Sequence, residues 1–93
     1  MAKLTGTIRI TTKAGSDKTG AHFEVAFVPY SGRVSAQPVH VSTNDDLVQF
    51  LIGIRLSEDE AARWAGRARS EGVVLIPSIE RTEDQLKNSG LLT

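Results

Sequence analysis

The chain contains no cysteine, so disulfide bonds and thiolate metal sites are excluded. The absence of cysteine suits a reducing compartment, and we expect a cytoplasmic protein. The first ten residues, MAKLTGTIRI, lack the run of about 7 to 15 apolar residues found in a secretory signal peptide. No apolar run approaches the roughly 20 residues of a membrane-spanning helix, so we expect no membrane association.

The chain also carries no net charge, because 11 Lys and Arg residues balance 11 Asp and Glu residues. The charges are unevenly placed. Residues 1–42 hold five basic and two acidic residues, a balance of +3. Residues 43–60 hold one basic and five acidic residues (−4), and residues 61–93 hold five basic and four acidic residues (+1). A strongly basic surface is missing, so we do not expect nucleic acid as the main partner.

Aromatic residues are scarce, at 5% of the chain. A sheet that binds single-stranded RNA usually offers several aromatic side chains for base stacking, and here only Tyr30 is suitably placed. The basic first half nevertheless makes a nucleic-acid-associated protein the second hypothesis for function.

Three segments in the first half alternate between apolar and polar residues, as half-buried strands do. LTGTIRITT points Leu4, Ile8 and Ile10 to one side. AHFEVAFVPY points Phe23, Val25 and Phe27 inward, and the weaker VSAQPVHVS follows a YSGR turn. Pro38 removes a backbone donor from this third strand and places it at an edge of the sheet.

The period then changes to that of helices. STNDDLVQFLIGI puts Leu47, Phe50, Leu51 and Ile54 on one helical face. LSEDEAARWAGRARSEG begins with a capping box, Ser57 with Glu60, and ends at Gly72. VVLIPSI is apolar without alternation, which predicts a strand covered on both faces, within the sheet or at a subunit contact. TEDQLKNSG then repeats the capping pattern for a short last helix.

The order βββααβα predicts an α+β two-layer sandwich, with a mainly antiparallel four-stranded sheet and helices on one face. An order such as 3-2-1-4 makes the last strand antiparallel to the first. The 93 residues bury about 60 to 70% of their unfolded surface, which suits a single domain over 1–93.

The stretch KAGSDKTG, residues 13–20, looks like a phosphate-binding loop but departs from that pattern. A P-loop needs a glycine directly before the Lys-Thr pair, and here Asp17 stands there. The chain then continues into a strand instead of a helix whose N-terminus binds anions. We interpret the stretch as a hairpin loop, and we expect no cofactor.

The helix pair from Leu47 to Arg69 has the spacing of a helix-turn-helix. The first turn of its second helix would present Glu58, Asp59 and Glu60 to the DNA. Three carboxylates oppose the phosphate neutralisation that supplies most of the affinity, so we favour a helical hairpin packed on the sheet. Asp59 with Arg63, and Arg67 with Glu71, have the spacing of helix-surface ion pairs.

The outward face of the sheet carries the candidate binding residues, which are Arg9, Thr11, His22, Glu24, Tyr30 and His40. Across a hairpin His40 lies opposite Glu24 or His22, and two imidazoles with a carboxylate are a possible metal or acid–base set. The simpler interpretation is two half-exposed histidines on a polar sheet face. We therefore predict no metal and no catalytic residue at this cluster.

No convincing catalytic set, basic patch or cofactor loop emerges from the sequence. The first hypothesis is a small non-enzymatic protein-interaction or regulatory module that forms a homodimer or binds another, unidentified protein. A metal or small-ligand site at His22, Glu24 and His40 is the third hypothesis.

Overall fold

A computed structural model describes residues 3–13, 22–30 and 36–92. Its strands are β1 (Lys3–Lys13), β2 (His22–Pro29), β3 (Val39–Val41) and β4 (Val73–Thr82). Its helices are α1 (Asn44–Gly53), α2 (Glu58–Glu71) and α3 (Glu83–Asn88). The predicted α+β class and element order are confirmed. Lys13 ends β1, and the other seven residues of KAGSDKTG lie outside the described residues.

The four strands form one sheet in the order β3-β2-β1-β4, with every neighbouring pair antiparallel. This is the strand order that the sequence suggested. β3 is a three-residue edge strand directly after Pro38, as the missing proline donor predicted. β4 forms the opposite edge.

The core lies between the sheet and the helices. Of the alternating residues of β1 and β2 predicted to point inward, Leu4 is partly buried and the other five are buried, with Ile8, Ile10 and Val25 at 0% exposure. The helices contribute Leu47 and Leu51 from α1 and the small-residue face of α2, which is Ala61, Ala65 and Ala68. These buried residues all belong to one cluster, and Leu4 packs against it.

Each helix begins at a side-chain cap. Ser57 accepts a hydrogen bond from the Glu60 N–H at 3.2 Å, and the Glu60 carboxylate accepts one from the Ser57 N–H at 3.3 Å. Thr82 and Gln85 form the same box at α3, and Thr43 caps α1. These bonds satisfy amides that have no partner within the helix, so the two capping boxes predicted for α2 and α3 are confirmed. Gly72 ends α2 at φ 85°.

Within this one chain only one face of β4 is covered, so the prediction of a strand covered on both faces within the sheet is wrong, and cover at a subunit contact stays a prediction. Val74 and Ile76 are buried, whereas Val73 and Leu75 are 51% and 56% exposed. The reason is topological, because β4 lies at the edge of a sheet whose buried side is the helical one. Its alternate residues therefore face away from the core.

Candidate interaction surface

The side of the sheet away from the core is called here the outer face. Antiparallel pairing aligns its side chains in rows across the strands. In one row Arg9 lies between Ala26 on β2 and Leu75 on β4. In the next row Thr11 lies between Glu24 and Val73, and Glu24 also pairs with His40 on β3.

The outer face carries all of the large apolar side chains that the described part of the chain exposes. They are Val28 at 42%, Tyr30 at 58%, Val73 at 51% and Leu75 at 56%. A hollow of about 200 Å³ lies between β2 and the segment that leads into β3. Arg9, Ala26 and Val28 line its strand side, and Ala36, Gln37 and Pro38 line the other.

A charged cluster occupies the end of the outer face near β3. The Glu24 carboxylate lies 3.3 Å from the Lys13 ammonium and 3.2 Å from Nε2 of His40. The hydrogen bond from Lys13, followed by that from His40, holds the pKa of Glu24 below its usual value. The His22 and His40 rings lie 6.2 Å apart between centroids.

The cluster brings together the histidines and the carboxylate that the sequence placed on one face. Nevertheless, across residues 3–13, 22–30 and 36–92, no three His, Asp or Glu side chains are arranged to hold a metal ion. The carboxylate oxygen nearest His40 is shared with Lys13. The geometry is that of a surface ion pair between Lys13 and Glu24, with a hydrogen bond between His40 and the same carboxylate.

Two of the outer face's basic residues have acidic partners. Lys13 pairs with Glu24 and Lys3 pairs with Glu80 at 3.6 Å. Such pairing weakens the positive potential that would attract phosphate. The helical pair α1 and α2 packs on the sheet, and the first turn of α2 exposes three carboxylates. Of the two predicted ion pairs on α2, Arg67–Glu71 forms at 2.8 Å, whereas the described part of the chain has none between Asp59 and Arg63.

A bulge shapes the β4 side of the outer face. Gly6 pairs with Ile79 and Ile8 pairs with Ile76, so one residue of β1 lies opposite two residues of β4. Ser78 within this bulge has φ 58°, a left-handed conformation that is rare without glycine. Its N–H donates to the Tyr30 hydroxyl at 2.9 Å.

The sequence placed the six candidate residues correctly on one surface. Arg9, Tyr30 and His40 are exposed there, and Thr11, His22 and Glu24 are partly buried. The sequence indicated VVLIPSI as a candidate subunit contact but did not place Val73 and Leu75 on the same surface as the six residues, and nothing in it indicated the hollow beside Ala26. The apolar run of β4 was a signal for Val73 and Leu75, but it does not say which of its faces is open.

The fold and surface define a two-layer α+β domain with one open sheet face. Comparison with models of known protein families, with curated proteins and with solved structures found no match. No helix within the described residues is both long enough and apolar enough to cross a membrane.

Proposed function

We propose that the protein is a small non-enzymatic interaction module that self-associates through its outer face. The observation that supports this is a complementary pair of features in one row of the sheet. Leu75 projects at one edge, and the hollow beside Ala26 lies near the other, with Arg9 between them. We place the module in the cytoplasm, because the chain has no cysteine that an oxidising compartment would pair.

A two-fold axis parallel to the strands matches this arrangement. The axis lies between the two copies, above the space that separates β1 from β2. Rotation about it places each edge of one sheet over the opposite edge of the other and keeps the residues of one row facing the same row. Leu75 of each copy then lies over the hollow of the other copy. Both contacts form together, as a closed, isologous dimer requires.

The available area suits a modest affinity. Strands about 4.8 Å apart and roughly eight residues long give an outer face of about 400 to 500 Å². Packing two such faces buries on the order of 1,000 Å² of accessible surface, near the lower limit for a specific interface. Full burial of an aliphatic side chain contributes about 1.5 to 3 kcal/mol before the costs of association.

Edge-to-edge pairing of β4 is the weaker mode of self-association. Thr12 donates to the Gly72 carbonyl at 2.7 Å, so by alternation Val74 and Ile76 bond to β1. The backbones of Val73, Leu75 and Pro77 then point to the free edge. Pro77 has no N–H to donate at this edge, and the bulge that follows it distorts the strand. Both features commonly protect a sheet edge from pairing with a strand of another molecule.

Sedimentation velocity and light scattering on a concentration series test the proposal. We expect a mass that rises from 10.1 kDa towards twice that value over about 10 to 500 µM, a range suited to a small interface. Leu75→Ser removes the projecting side chain, and Ala26→Phe fills the hollow. Each variant should remain monomeric with an unchanged circular dichroism spectrum.

Ala62→Phe is the matched control, because it makes the same substitution on the exposed side of α2. It should leave the dimer intact. Ile76 is unsuitable as a probe, since its side chain is 4% exposed and faces the core. A monomer mass for the wild type throughout the series would contradict self-association, and a dimer that survives both outer-face variants would place the interface elsewhere.

A further inference from the structure

The turn between α1 and α2 contains a residue in an unfavourable conformation. Arg55 has φ 77°, in the left-handed region. Its N–H donates to the Ile52 carbonyl at 3.0 Å, and the Leu56 N–H donates to the Leu51 carbonyl at 3.1 Å. This bonding pattern ends many helices and usually has glycine at the position of Arg55, because a Cβ is strained there.

Arg55 is exposed, so packing in the core does not explain an arginine at this position. Within the described ranges no carboxylate lies within 4 Å of its guanidinium group. Backbone strain that the fold tolerates is often retained where the side chain has a function.

Arg55 stands where two clefts meet, each of about 410 Å³. The first, called here the Arg55 cleft, lies between α1 and α3 and is lined by Phe50, Gly53, Arg55, Gln85, Asn88 and Ser89. The second adjoins it through Arg55 and Gln85 and extends to Lys3, Glu80 and Arg81. The volume of either cleft lies within the range of small-molecule sites.

The charges around the second cleft favour an anion. Three cations, Lys3, Arg55 and Arg81, face one carboxylate, that of Glu80, which leaves a balance of +2. Arg81 also donates to the backbone carbonyls of Ile54 and Glu80, both at 2.6 Å. It therefore covers one carbonyl group at the negative end of α1, that of Ile54, which would otherwise repel an anion.

The walls of the Arg55 cleft favour an attached apolar body. Phe50 is partly buried and presents a ring, while Gly53 leaves open space beside it. The Gln85 side-chain oxygen is held by the Thr82 N–H at 3.0 Å, so its amide NH₂ group is the part that can donate to a ligand. Asn88 adds a second amide at the rim.

We propose that the Arg55 cleft binds a small aromatic anion, with its phosphate or carboxylate between Arg55 and the neighbouring cations and its ring against Phe50. A guanidinium group pairs with either anion through two parallel hydrogen bonds. The Arg55 cleft itself lies between α1 and α3 and contains no outer-face residue. Of the residues that line the second cleft, Lys3 and Glu80 also belong to the outer face, at its edge away from Leu75 and the hollow.

Amide chemical shifts during titration with phenyl phosphate test the proposal, with benzoate as the carboxylate counterpart. Inorganic phosphate and phenol supply the two halves of the ligand separately. We expect saturable shifts at Gly53, Arg55 and Asn88, and an affinity for phenyl phosphate at least tenfold above that of either half. Tighter binding of phenyl phosphate than of benzoate would identify phosphate as the preferred anion, and the reverse would identify carboxylate.

Arg55→Gly separates binding from folding, because it relieves the strained backbone. Arg55→Gly should raise the thermal midpoint of unfolding and lower the affinity for phenyl phosphate at least tenfold. Phe50→Leu should lower the affinity for phenyl phosphate but not that for inorganic phosphate. Arg63→Gln, which removes an exposed arginine on α2, should leave binding unchanged. Equal binding by wild type and Arg55→Gly, or no saturable shift with either aromatic anion, would overturn the proposal.

Discussion

The Tyr30 hydroxyl accepts a hydrogen bond of 2.9 Å from the backbone N–H of Ser78, 48 residues further along the chain. Tyr30 follows β2 and Ser78 lies in β4, so the phenol reaches across β1. The Tyr30 N–H meanwhile donates to the Thr5 carbonyl at 3.0 Å. Tyr30 thus connects β2 with β1 through its backbone and with β4 through its hydroxyl, which holds the left-handed residue of the β4 bulge.

This contact predicts how Tyr30 titrates. The hydrogen bond from the Thr7 side chain, followed by that from the Ser78 backbone, lowers the pKa of Tyr30 below 10.0, because both favour the phenolate. Tyr30 is the one tyrosine of the chain, so absorbance of tyrosinate reports it alone. We expect a midpoint below 10.0 in the folded protein and a higher one in Thr7→Val.

The sign of the linked stability follows from that direction. The folded pKa lies below the unfolded value, so the stabilisation is absent at neutral pH and grows as pH rises from the folded pKa to about 10. A native midpoint equal to that of the urea-unfolded chain would contradict the contact.

A second prediction concerns the cap of α2. Ser57→Ala removes the acceptor for the Glu60 N–H and should lower the free energy of unfolding by about 1 kcal/mol. Urea denaturation measures this as a lower midpoint with an unchanged slope. Ser70→Ala, an exposed substitution in the last turn of the same helix, is the control and should change the midpoint little. An equal effect of the two variants would show that Ser57 does not act as a cap.

The caps were predictable from sequence because they depend on residues only three positions apart, such as Ser57 with Glu60 and Thr82 with Gln85. The inward strand residues were predictable because alternation is local as well. The sequence could not show which faces of β4 are buried, because this depends on which strand pairs with β1 and on which side of the sheet the helices pack. Val73 and Leu75 are exposed because of that long-range arrangement.

The two clefts were beyond sequence reasoning for a similar reason. Phe50 and Gln85 lie 35 residues apart in the chain and line the same cleft only after α3 docks. The left-handed backbone of Arg55 was also not signalled, because glycine is the residue that marks such a turn. The shared surface of the six outer-face residues was predictable, because they lie in or directly after three strands that are consecutive in the chain.

A third prediction concerns nucleic acid. At about 150 mM salt we expect weak or no binding to random duplex or single-stranded probes, because a neutral chain releases few counterions. Lys3 and Lys13 are moreover paired with carboxylates. Gel-shift and fluorescence anisotropy measurements test this. A salt-sensitive shift at micromolar protein that disappears in the Arg9→Ala/Lys13→Ala variant would instead support a nucleic-acid-associated function.

The last prediction contrasts two glycines whose replacement by alanine should have opposite effects. A Cβ at Gly6 would overlap the Val28 carbonyl oxygen and lie 2.8 Å from both the Phe27 ring and the Pro29 Cα. Two of these atoms belong to the backbone of β2, so the strands must separate to make room. We expect Gly6→Ala to destabilise the fold by about 1 to 3 kcal/mol, the usual cost of overpacking.

Gly66 lies within α2, and a Cβ there meets nothing within 4 Å. Gly66→Ala should therefore stabilise the fold by roughly 0.5 to 1 kcal/mol, because alanine loses less backbone entropy in a helix. Thermal and urea denaturation of both variants measure the contrast. A lower free energy of unfolding for Gly66→Ala would show that α2 has a neighbour at this position. An unchanged free energy of unfolding for Gly6→Ala would show that β1 and β2 are further apart than the register requires.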